Sequence, residues 1–418
     1  MSDEGDLSDE QDRGGPGPGP RSTARTIVFV CLYLVFLVAL LEGASYAVLT
    51  VWDNELGDAS ERHRYNPVRG HELNPVYRRE FDTAGREIHS AQGFRRDELV
   101  SVRKPAGTFR ILMLGGSTMY GIGVQGGPHY PLHRTLANDE TISHFVEAGL
   151  ERLVSKHGIG ALNVEVINAG VTAYHTFQHV LYLYESLYEY EPDLVLFVDG
   201  HNDFYSLDTS SPIRRYGYSS HNLVRALNER QPFIGLYAAF RSLGDVSHFF
   251  KVMEKVAFKL FERYEGKPHN IAAGPKREGG FATEYKAAAS IGFLRNYALS
   301  HQLGKLHGFE LHVFLQPEIV FEDPQLLVPA DRAIRTTTQT LNGGPDGAQF
   351  MSKARQQLPV LFADAGIAFT DIGQIARRGK PEAQLYIDYC HLTPAGAARV
   401  AEHIVPVAWD YLRRMHTR

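Results

Sequence analysis

Four short segments of the sequence carry residue types that together could hydrolyse an ester through a serine. Ser117 follows a pair of glycines in Gly115-Gly116-Ser117-Thr118. The other three segments are Asn168-Ala169-Gly170, Gly200-His201-Asn202-Asp203 and Asp388-Tyr389-Cys390-His391. A serine attacks an ester when a base removes the hydroxyl proton, a second group orients the base, and hydrogen-bond donors stabilise the oxyanion. The four segments hold a candidate for each role.

Spacing within these segments assigns the roles. His391 is the predicted base, and Asp388 lies three residues earlier, where a tight turn lets its carboxylate reach the imidazole N–H. The predicted oxyanion donors are the backbone N–H groups of Ser117 and Gly170 and the side-chain amide of Asn202. One such donor typically contributes about 3–4 kcal/mol in the transition state. Gly170 suits this role because a residue without a Cβ atom leaves room for the substrate.

Each of these residues also has an interpretation without chemistry. Ser117 and Asp203 are common helix-capping types, and Gly170 fits a simple turn. His201 is predicted to form a pocket wall. Cys390 beside His391 suggests thiol chemistry, but neighbours in an extended loop point in different directions and no second base is evident.

The elements that must position these segments alternate between strand and helix from residue 109 onward. Short apolar runs predict strands at 109–114, 163–168, 193–198, 310–315 and 367–371, and amphipathic stretches predict helices near 138–157, 175–190, 282–306, 350–365 and 394–414. This alternation favours an α/β fold in which helices cover both faces of a parallel sheet. Ligands of open α/β sheets bind at the carboxyl ends of the strands, where the four segments lie. Thr393 and Pro394 predict a helix start just after His391.

Residues outside this pattern divide into further segments. Residues 1–25 are rich in glycine, proline and acidic side chains, and we expect them to be disordered. Residues 53–108 are predicted to be a connector over the surface of the domain that spans 109–418. Residues 204–281 interrupt the strand–helix alternation and are too long for an ordinary loop. We interpret them as an insertion or cap.

Residues 26–52 are predicted to form a retained transmembrane anchor. The stretch is apolar apart from Glu42, and roughly 20 apolar residues suffice to span a bilayer. A buried core helix and a cleaved signal peptide are the alternatives, but the preceding polar region is long for a signal peptide. Basic residues precede the stretch and acidic ones follow it (Arg13, Arg21, Arg25; Asp53, Glu55, Asp58). The positive-inside rule therefore predicts a cytoplasmic N-terminus and an extracytoplasmic domain.

Composition restricts the class of partner. The chain has 418 residues and a formal net charge of -5, which gives no reason to expect nucleic acid as a partner. Cys31 and Cys390 are the two cysteines, and we expect no disulfide between them. Two histidine pairs, His175 with His179 and His129 with His133, have helical metal-ligand spacing. Neither pair has an evident carboxylate partner, so no metal and no cofactor are predicted.

The four segments resemble the motif blocks of the SGNH (GDSL-type) hydrolase superfamily. Ser117 matches the nucleophile, Gly170 the glycine, Asn202 the asparagine, and Asp388 with His391 the Asp-x-x-His block, in the order that the family shows. The resemblance covers residues 109–415 and implies a flavodoxin-like three-layer fold and activity on acyl or acetyl esters of alcohols, lipids or sugars. The first block departs from Gly-Asp-Ser-Leu, because Gly116 replaces the aspartate. This first block resembles the Gly-Gly-Ser variants of membrane-anchored bacterial members, which agrees with the predicted anchor.

Three functional hypotheses follow. The first is a membrane-anchored serine esterase in a bacterial cell, which deacylates a cell-envelope carbohydrate, lipid or small ester outside the membrane. The second is an O-acyltransferase that uses the same residues and passes the acyl group to a glycan hydroxyl, with the cap deciding whether water is excluded. The third is a non-catalytic glycan-binding or assembly component that retains the fold. The oligomeric state is left open.

Overall fold

The computed structural model describes most of the chain. The described residues are 20–56, 62–66, 68–75, 77, 88–122, 135–160, 162–205, 240, 243–244, 246–253, 255–256, 284–341, 345–378 and 381–416. The chain divides into two compact units. One combines Met1–Asp58 with Arg230–Glu265, and the other combines Ala59–Glu229 with Gly266–Arg418.

The first unit is built on one long helix, α1 (Pro20–Leu56). Its segment Arg25–Thr50 is long and apolar enough to cross a membrane. The helix begins within the segment that was predicted to be disordered, whose residues 1–19 lie outside the described residues. Within the same unit, the Glu42 carboxylate accepts hydrogen bonds from Ser247 Oγ and, across 2.7 Å, from the His248 N–H.

These contacts bear on the predicted insertion at 204–281. Its described part at 240–256 belongs to the unit that contains α1, whereas residues 204 and 205 end a short helix of the second unit. Residues 206–239 and 257–283 lie outside the described residues. The prediction of a cap stays a prediction, because most of residues 204–281 lie outside the described residues.

The second unit contains a five-stranded parallel sheet, which confirms the predicted fold class. The elements in chain order are β1 (His63–Asn66), β2 (Gly70–Leu73), β3 (Thr108–Gly115), α2 (Ser117–Tyr120), α3 (Ile142–Lys156), β4 (Asn163–Asn168), α4 (Thr176–Glu185), β5 (Leu194–Asp199), α5 (His201–Tyr205), α6 (Glu284–His307), β6 (Glu310–Leu315), α7 (Pro329–Leu341), α8 (Pro345–Asp364), β7 (Ala368–Asp371) and α9 (Pro394–His416). The strand order β4-β3-β5-β6-β7 is that of flavodoxin-like folds.

Helices cover both faces of this sheet because the central strands are apolar on both sides. Leu112 and Leu114 of β3 pack in one core with residues of α4, α6 and α8, whereas Ile111 and Met113 pack in the other with residues of α3 and α9. Every residue of β3 and of β5 is buried. Fully buried strands of this kind read as continuous apolar runs, which is why the sequence predicted them.

Boundaries of the predicted elements differ from the observed ones by a few residues. Two helices differ most. The helix predicted at 175–190 ends at Glu185 and continues as a 3-10 turn over Leu187–Tyr190, and the helix predicted at 350–365 begins at Pro345. The helix α7 was not predicted. Its sequence contains three consecutive threonines, Thr336 to Thr338, which have only moderate helix propensity.

The segment 53–108 is more than a surface connector. Its strands β1 and β2 pair antiparallel as a hairpin, with His63 opposite Leu73 and Asn66 opposite Gly70. Side chains beyond it, including Ile88, Phe94 and Val100, are buried in the core that contains α4, α6 and α8. The Arg95 guanidinium is also buried, and its Nε donates to the Tyr120 carbonyl across 3.0 Å. The described residues of this segment from 62 onward therefore belong to the sheet-containing unit and contact the helix that carries Ser117.

Candidate active site

Ser117 lies at the carboxyl end of β3, the first residue of the short helix α2. The strand ends at Gly115, where an added Cβ atom would lie 2.5 Å from the Val198 carbonyl oxygen and 2.6 Å from Met119 Cβ. The chain can therefore turn sharply here only with glycine. As the first helical residue, Ser117 has an N–H without an intrahelical acceptor. Its hydroxyl is partly exposed at the edge of the sheet where ligands of this fold bind.

Ser117, His391 and Asp388 form a continuous chain of hydrogen bonds. Ser117 Oγ lies 2.6 Å from His391 Nε2. His391 Nδ1 lies 2.8 Å from Asp388 Oδ2 and 2.9 Å from Asp388 Oδ1. An ionised carboxylate only accepts, so Nδ1 carries the imidazole proton and Nε2 accepts from the serine hydroxyl. The structure thus brings these three predicted residues together in the arrangement that activates a serine.

Asp388 is held in its ionised form. The side chain is buried, and its Oδ1 accepts the backbone N–H groups of Cys390 at 3.0 Å and His391 at 2.9 Å. Burial alone would raise the pKa of Asp388, but His391 and these hydrogen bonds outweigh burial and lower the pKa to about 2. The carboxylate is therefore available across the neutral range to orient His391 and stabilise its protonated form.

Two buried carboxylates outside the predicted segments position the loop that carries Asp388 and His391. Asp331 of α7 accepts the backbone N–H groups of Leu385 at 2.9 Å and Tyr386 at 3.1 Å. Glu322 accepts the Tyr386 hydroxyl at 2.6 Å. Burial raises the pKa of both acids. After the loop, Thr393 Oγ1 accepts the Gly396 N–H at 3.1 Å, which confirms the predicted start of α9.

Asn202 lies beside the serine loop. It belongs to α5, and its Nδ2 donates to the Tyr174 carbonyl across 2.8 Å. The same nitrogen lies 3.0 Å from the position that a Cβ atom on Gly116 would occupy. An amide nitrogen carries two protons, so one remains for a ligand next to Ser117. The next residue, Asp203, accepts the Thr176 hydroxyl at 2.6 Å and the Thr176 N–H at 3.2 Å, at the start of α4.

Gly170 does not fit the donor role that the sequence predicted for it. Its N–H donates to Asn168 Oδ1 across 3.0 Å and is therefore already used. A Cβ atom at Gly170 would lie 2.6 Å from the Tyr120 nitrogen and 2.9 Å from the Met119 carbonyl carbon. The glycine is thus required for close packing against the backbone of α2. This corrects the predicted assignment of Gly170 as an oxyanion donor.

A backbone N–H that the sequence did not single out lies three residues further along the same loop. Ala173 is exposed and adopts a φ of 62°, a conformation that residues with a Cβ atom seldom take. No described residue accepts a hydrogen bond from its N–H. The following residue, Tyr174, is the one whose carbonyl Asn202 binds. An alanine carries no sequence signal for positive φ, so residue type alone pointed to Gly170.

His201 and Cys390 also belong to the predicted segments, but neither is part of the chain of hydrogen bonds from Ser117 to Asp388. His201 lies 3.3 Å from Glu318 through Nδ1 and Oε1, and its ring stacks on Tyr389 at 4.8 Å between centroids. Cys390 is buried, and burial holds the pKa of its thiol well above the usual value, so it stays protonated.

His175 and His179, one of the two histidine pairs with metal-ligand spacing, are both buried. His179 Nδ1 lies 2.8 Å from Asp199 Oδ2, a carboxylate partner that the sequence did not reveal. His175 is buried, which lowers its pKa to about 4. His129 and His133 lie outside the described residues. Asp388, Cys390 and His391 hold potential metal-ligating atoms within 4.8 Å of one another. In this group both imidazole nitrogens already face the serine and the carboxylate, so the donor set fits a triad better than an ion.

Comparisons with known proteins give low similarity. No protein-family model and no curated protein matches the chain. Solved structures similar to it include a carbohydrate acetylesterase from Sinorhizobium meliloti, with 12% identity over 72% of this chain and 97% of that one, at a TM-score of 0.34. An acetylxylan esterase from Geobacillus stearothermophilus has 14% identity over 71% and 92%, at 0.33. A GDSL-like lipase from Bacteroides thetaiotaomicron has 11% identity over 72% and 88%, at 0.31. Similarity at this level by itself assigns neither family nor activity.

Proposed function

We propose that this chain is a serine esterase of the SGNH type that hydrolyses acyl or acetyl esters through an acyl-serine intermediate. One observation carries the proposal: the unbroken hydrogen-bonded chain from Ser117 through His391 to Asp388. A non-catalytic component would have no need for a serine hydroxyl held on a histidine whose other nitrogen faces a buried, ionised carboxylate.

In the proposed first step, Ser117 Oγ attacks the ester carbonyl while its proton passes to His391 Nε2. The carbonyl oxygen becomes an oxyanion, and the donors around it are the Ser117 N–H, the Ala173 N–H and the second proton of Asn202 Nδ2. His391 then gives its proton to the leaving alcohol as the carbonyl–alkoxy bond breaks, which leaves the acyl group on Ser117. Ala173 takes the place in this scheme that the sequence had assigned to Gly170.

In the second step, water replaces the alcohol. His391 Nε2 removes a proton from water as the water oxygen attacks the acyl carbon, and the proton returns to Ser117 Oγ as the acid leaves. Asp388 stays ionised throughout and stabilises the imidazolium that forms twice in the cycle. Its pKa of about 2 supports this role, because the carboxylate is a much weaker base than the imidazole.

The proposal includes a location and a class of substrate. The helix α1 would anchor the chain in a bacterial cell membrane, with the N-terminus in the cytoplasm and the sheet-containing unit outside. An extracytoplasmic esterase on such an anchor would meet acylated carbohydrates or lipids of the cell envelope. The departure of Gly116 from the aspartate of the GDSL block leaves the triad intact, since no step of the scheme uses a side chain at that position.

Labelling of the full chain with a fluorophosphonate tests the proposal. We expect covalent modification of the wild type at Ser117 and release of free acid from p-nitrophenyl acetate. Ser117→Ala and His391→Ala should lose both, whereas Ser155→Ala, on the exposed side of α3, should keep both. Addition of a sugar acceptor separates hydrolysis from acyl transfer, because transfer would yield an acylated sugar instead of free acid. A folded wild type that neither labels nor hydrolyses would refute the esterase.

A further inference from the structure

Ala173 is held in its unfavourable conformation by both of its neighbours, and both contact the hairpin of β1 and β2. Its φ of 62° costs free energy for any residue with a Cβ atom. Such a conformation persists only where the surrounding structure determines it. The hairpin residues that contact Thr172 and Tyr174 are therefore those that decide where the Ala173 N–H points.

On the Tyr174 side, the contact is a hydrogen-bond relay through the phenol. The Tyr174 hydroxyl accepts Arg69 Nη1 across 2.9 Å and donates to the His71 carbonyl. The ring is fully buried and meets the His71 ring edge to face, with 5.0 Å between centroids. The phenol is thus fixed both by packing and by two polar partners on the hairpin.

On the Thr172 side, two histidines bind the loop. His71 Nε2 donates to the Thr172 carbonyl across 2.9 Å, since a carbonyl only accepts. His63 Nε2 lies 2.6 Å from Thr172 Oγ1. The two histidine rings pack against each other at 5.0 Å. The peptide on the N-terminal side of Ala173 is therefore held by the same hairpin that holds Tyr174.

Arg69 fixes the hairpin to the rest of the unit. Its guanidinium is buried, binds Glu72 at 2.6 Å and Glu185 of α4 at 2.7 Å, and lies 3.9 Å from the centroid of the Tyr182 ring. Its carbonyl accepts Gln178 Nε2 at 2.7 Å. With every arm of the guanidinium bonded, the side chain cannot move without breaking charged hydrogen bonds.

We propose that the hairpin of β1 and β2 is a clamp for the oxyanion loop, with Arg69 and Tyr174 as positioning residues that hold the Ala173 N–H toward the ester carbonyl. The inference rests on the proposed esterase function. Neither residue touches the reacting atoms. Their effect passes through the backbone of residues 172–174. The clamp keeps Ala173 in a left-handed conformation that the loop would not hold without these contacts.

Loss of the clamp should weaken stabilisation of the transition state while the triad stays intact. Tyr174→Phe keeps the buried ring and removes the hydroxyl. We expect kcat and the rate constant of fluorophosphonate labelling at Ser117 to fall by about 10- to 100-fold, as for a misplaced catalytic group. KM should change by about twofold or less, and the pH profile should stay that of the wild type because His391 is untouched. Arg69→Lys should act in the same direction, since an ammonium cannot replace the guanidinium fork.

Rescue separates positioning from a general structural role. Ala173→Gly removes the cost of positive φ, so in the Tyr174→Phe chain it should raise the labelling rate about fivefold or more. Tyr184→Phe on the exposed face of α4 is the matched control and should label like the wild type. The clamp is refuted if Tyr174→Phe labels at the wild-type rate, or if its defect persists unchanged after Ala173→Gly in a chain that melts normally.

Hydrogen exchange distinguishes this proposal from the esterase itself. If the folded wild type does not label at all, the proposed esterase function is refuted. The clamp is then tested only by the hydrogen exchange of backbone amides. Tyr174→Phe should then speed amide exchange of residues 171–175 by about tenfold or more, because the loop leaves its turn more often. Unchanged exchange there would refute the clamp whatever the activity.

Discussion

Asn168 joins Gly170 to the helix that carries Ser117. Its Oδ1 accepts the Gly170 N–H and its Nδ2 donates to the Met119 carbonyl, each across 3.0 Å. The side chain is fully buried. One amide thereby fixes the spacing between the end of β4 and α2, and both of its ends are needed.

Asn168→Asp should therefore destabilise the fold. The carboxylate keeps the bond to Gly170 but faces the Met119 carbonyl with a second acceptor, at a cost of about 1–3 kcal/mol. Urea unfolding at pH 7 measures this loss. Asn163→Asp, at the exposed start of the same strand, should change the free energy of unfolding by about 0.5 kcal/mol or less. Equal stability of the two variants would contradict this account of Asn168.

Asp388→Asn tests the orientation of the histidine. The new amide can donate to His391 Nδ1 and favours the tautomer with the proton on Nε2, which cannot accept from Ser117. We expect kcat/KM for p-nitrophenyl acetate to fall by about 10³- to 10⁴-fold without loss of fold. Asp410→Asn on the exposed side of α9 should retain full activity. A decrease of less than about tenfold would exclude the proposed role of Asp388.

Asn202→Ala tests the proposed side-chain donor to the oxyanion. The loss should lie in kcat, by about 10²- to 10³-fold, with KM nearly unchanged, because the donor binds the transition state more strongly than the ester. Steady-state kinetics separate the two constants. Asn163→Ala serves as the matched change at an exposed site. A rise in KM at constant kcat would assign Asn202 to ground-state binding instead.

Asp203 makes stability depend on pH. Burial and the charge of Asp199 raise its pKa from 3.8 to about 7. Between these values the folded chain holds a proton that the unfolded chain releases. The free energy of unfolding therefore falls as pH rises, by up to about 1.4 kcal/mol per pH unit.

Asp203→Asn removes this contribution, since an amide does not titrate. Unfolding of both proteins from pH 4.5 to 7.5 should show the variant gaining stability relative to the wild type as pH rises. Asp364→Asn, exposed at the end of α8, should track the wild type. A difference that is constant over this range would show that Asp203 does not titrate there.

The proposed topology predicts where a new thiol reacts. Cys31 lies in the apolar helix and Cys390 is buried, so neither should react with a membrane-impermeant maleimide in intact cells. Lys353→Cys, exposed on α8, should react if the sheet-containing unit lies outside the membrane. Reaction of Lys353→Cys only after cell lysis would reverse the orientation. Release of the chain from membranes by alkaline carbonate would exclude α1 as an anchor.

The sequence predicted the sheet because β3 and β5 are continuous apolar runs, and it predicted the triad because Asp388 and His391 are close in the chain. It missed the hairpin, since β1 and β2 hold four residues each and include polar side chains at most positions. The predicted donor role of Gly170 does not fit the observed hydrogen bond of its N–H, and the physical reason is not local. The path of that loop is set by Asn168 and by contacts with residues about one hundred positions earlier, which local patterns do not contain.

Ser117 and His391 are 274 positions apart in the chain. During synthesis the serine is therefore an ordinary alcohol until the segment through His391 has left the ribosome and packed against the sheet. If α1 keeps the N-terminus in the cytoplasm while the residues after it cross the membrane during synthesis, reactivity would first arise on the far side of the bilayer. Acyl esters and thioesters of the cytoplasm would then never meet an activated serine, because the histidine that activates it is translated long after it.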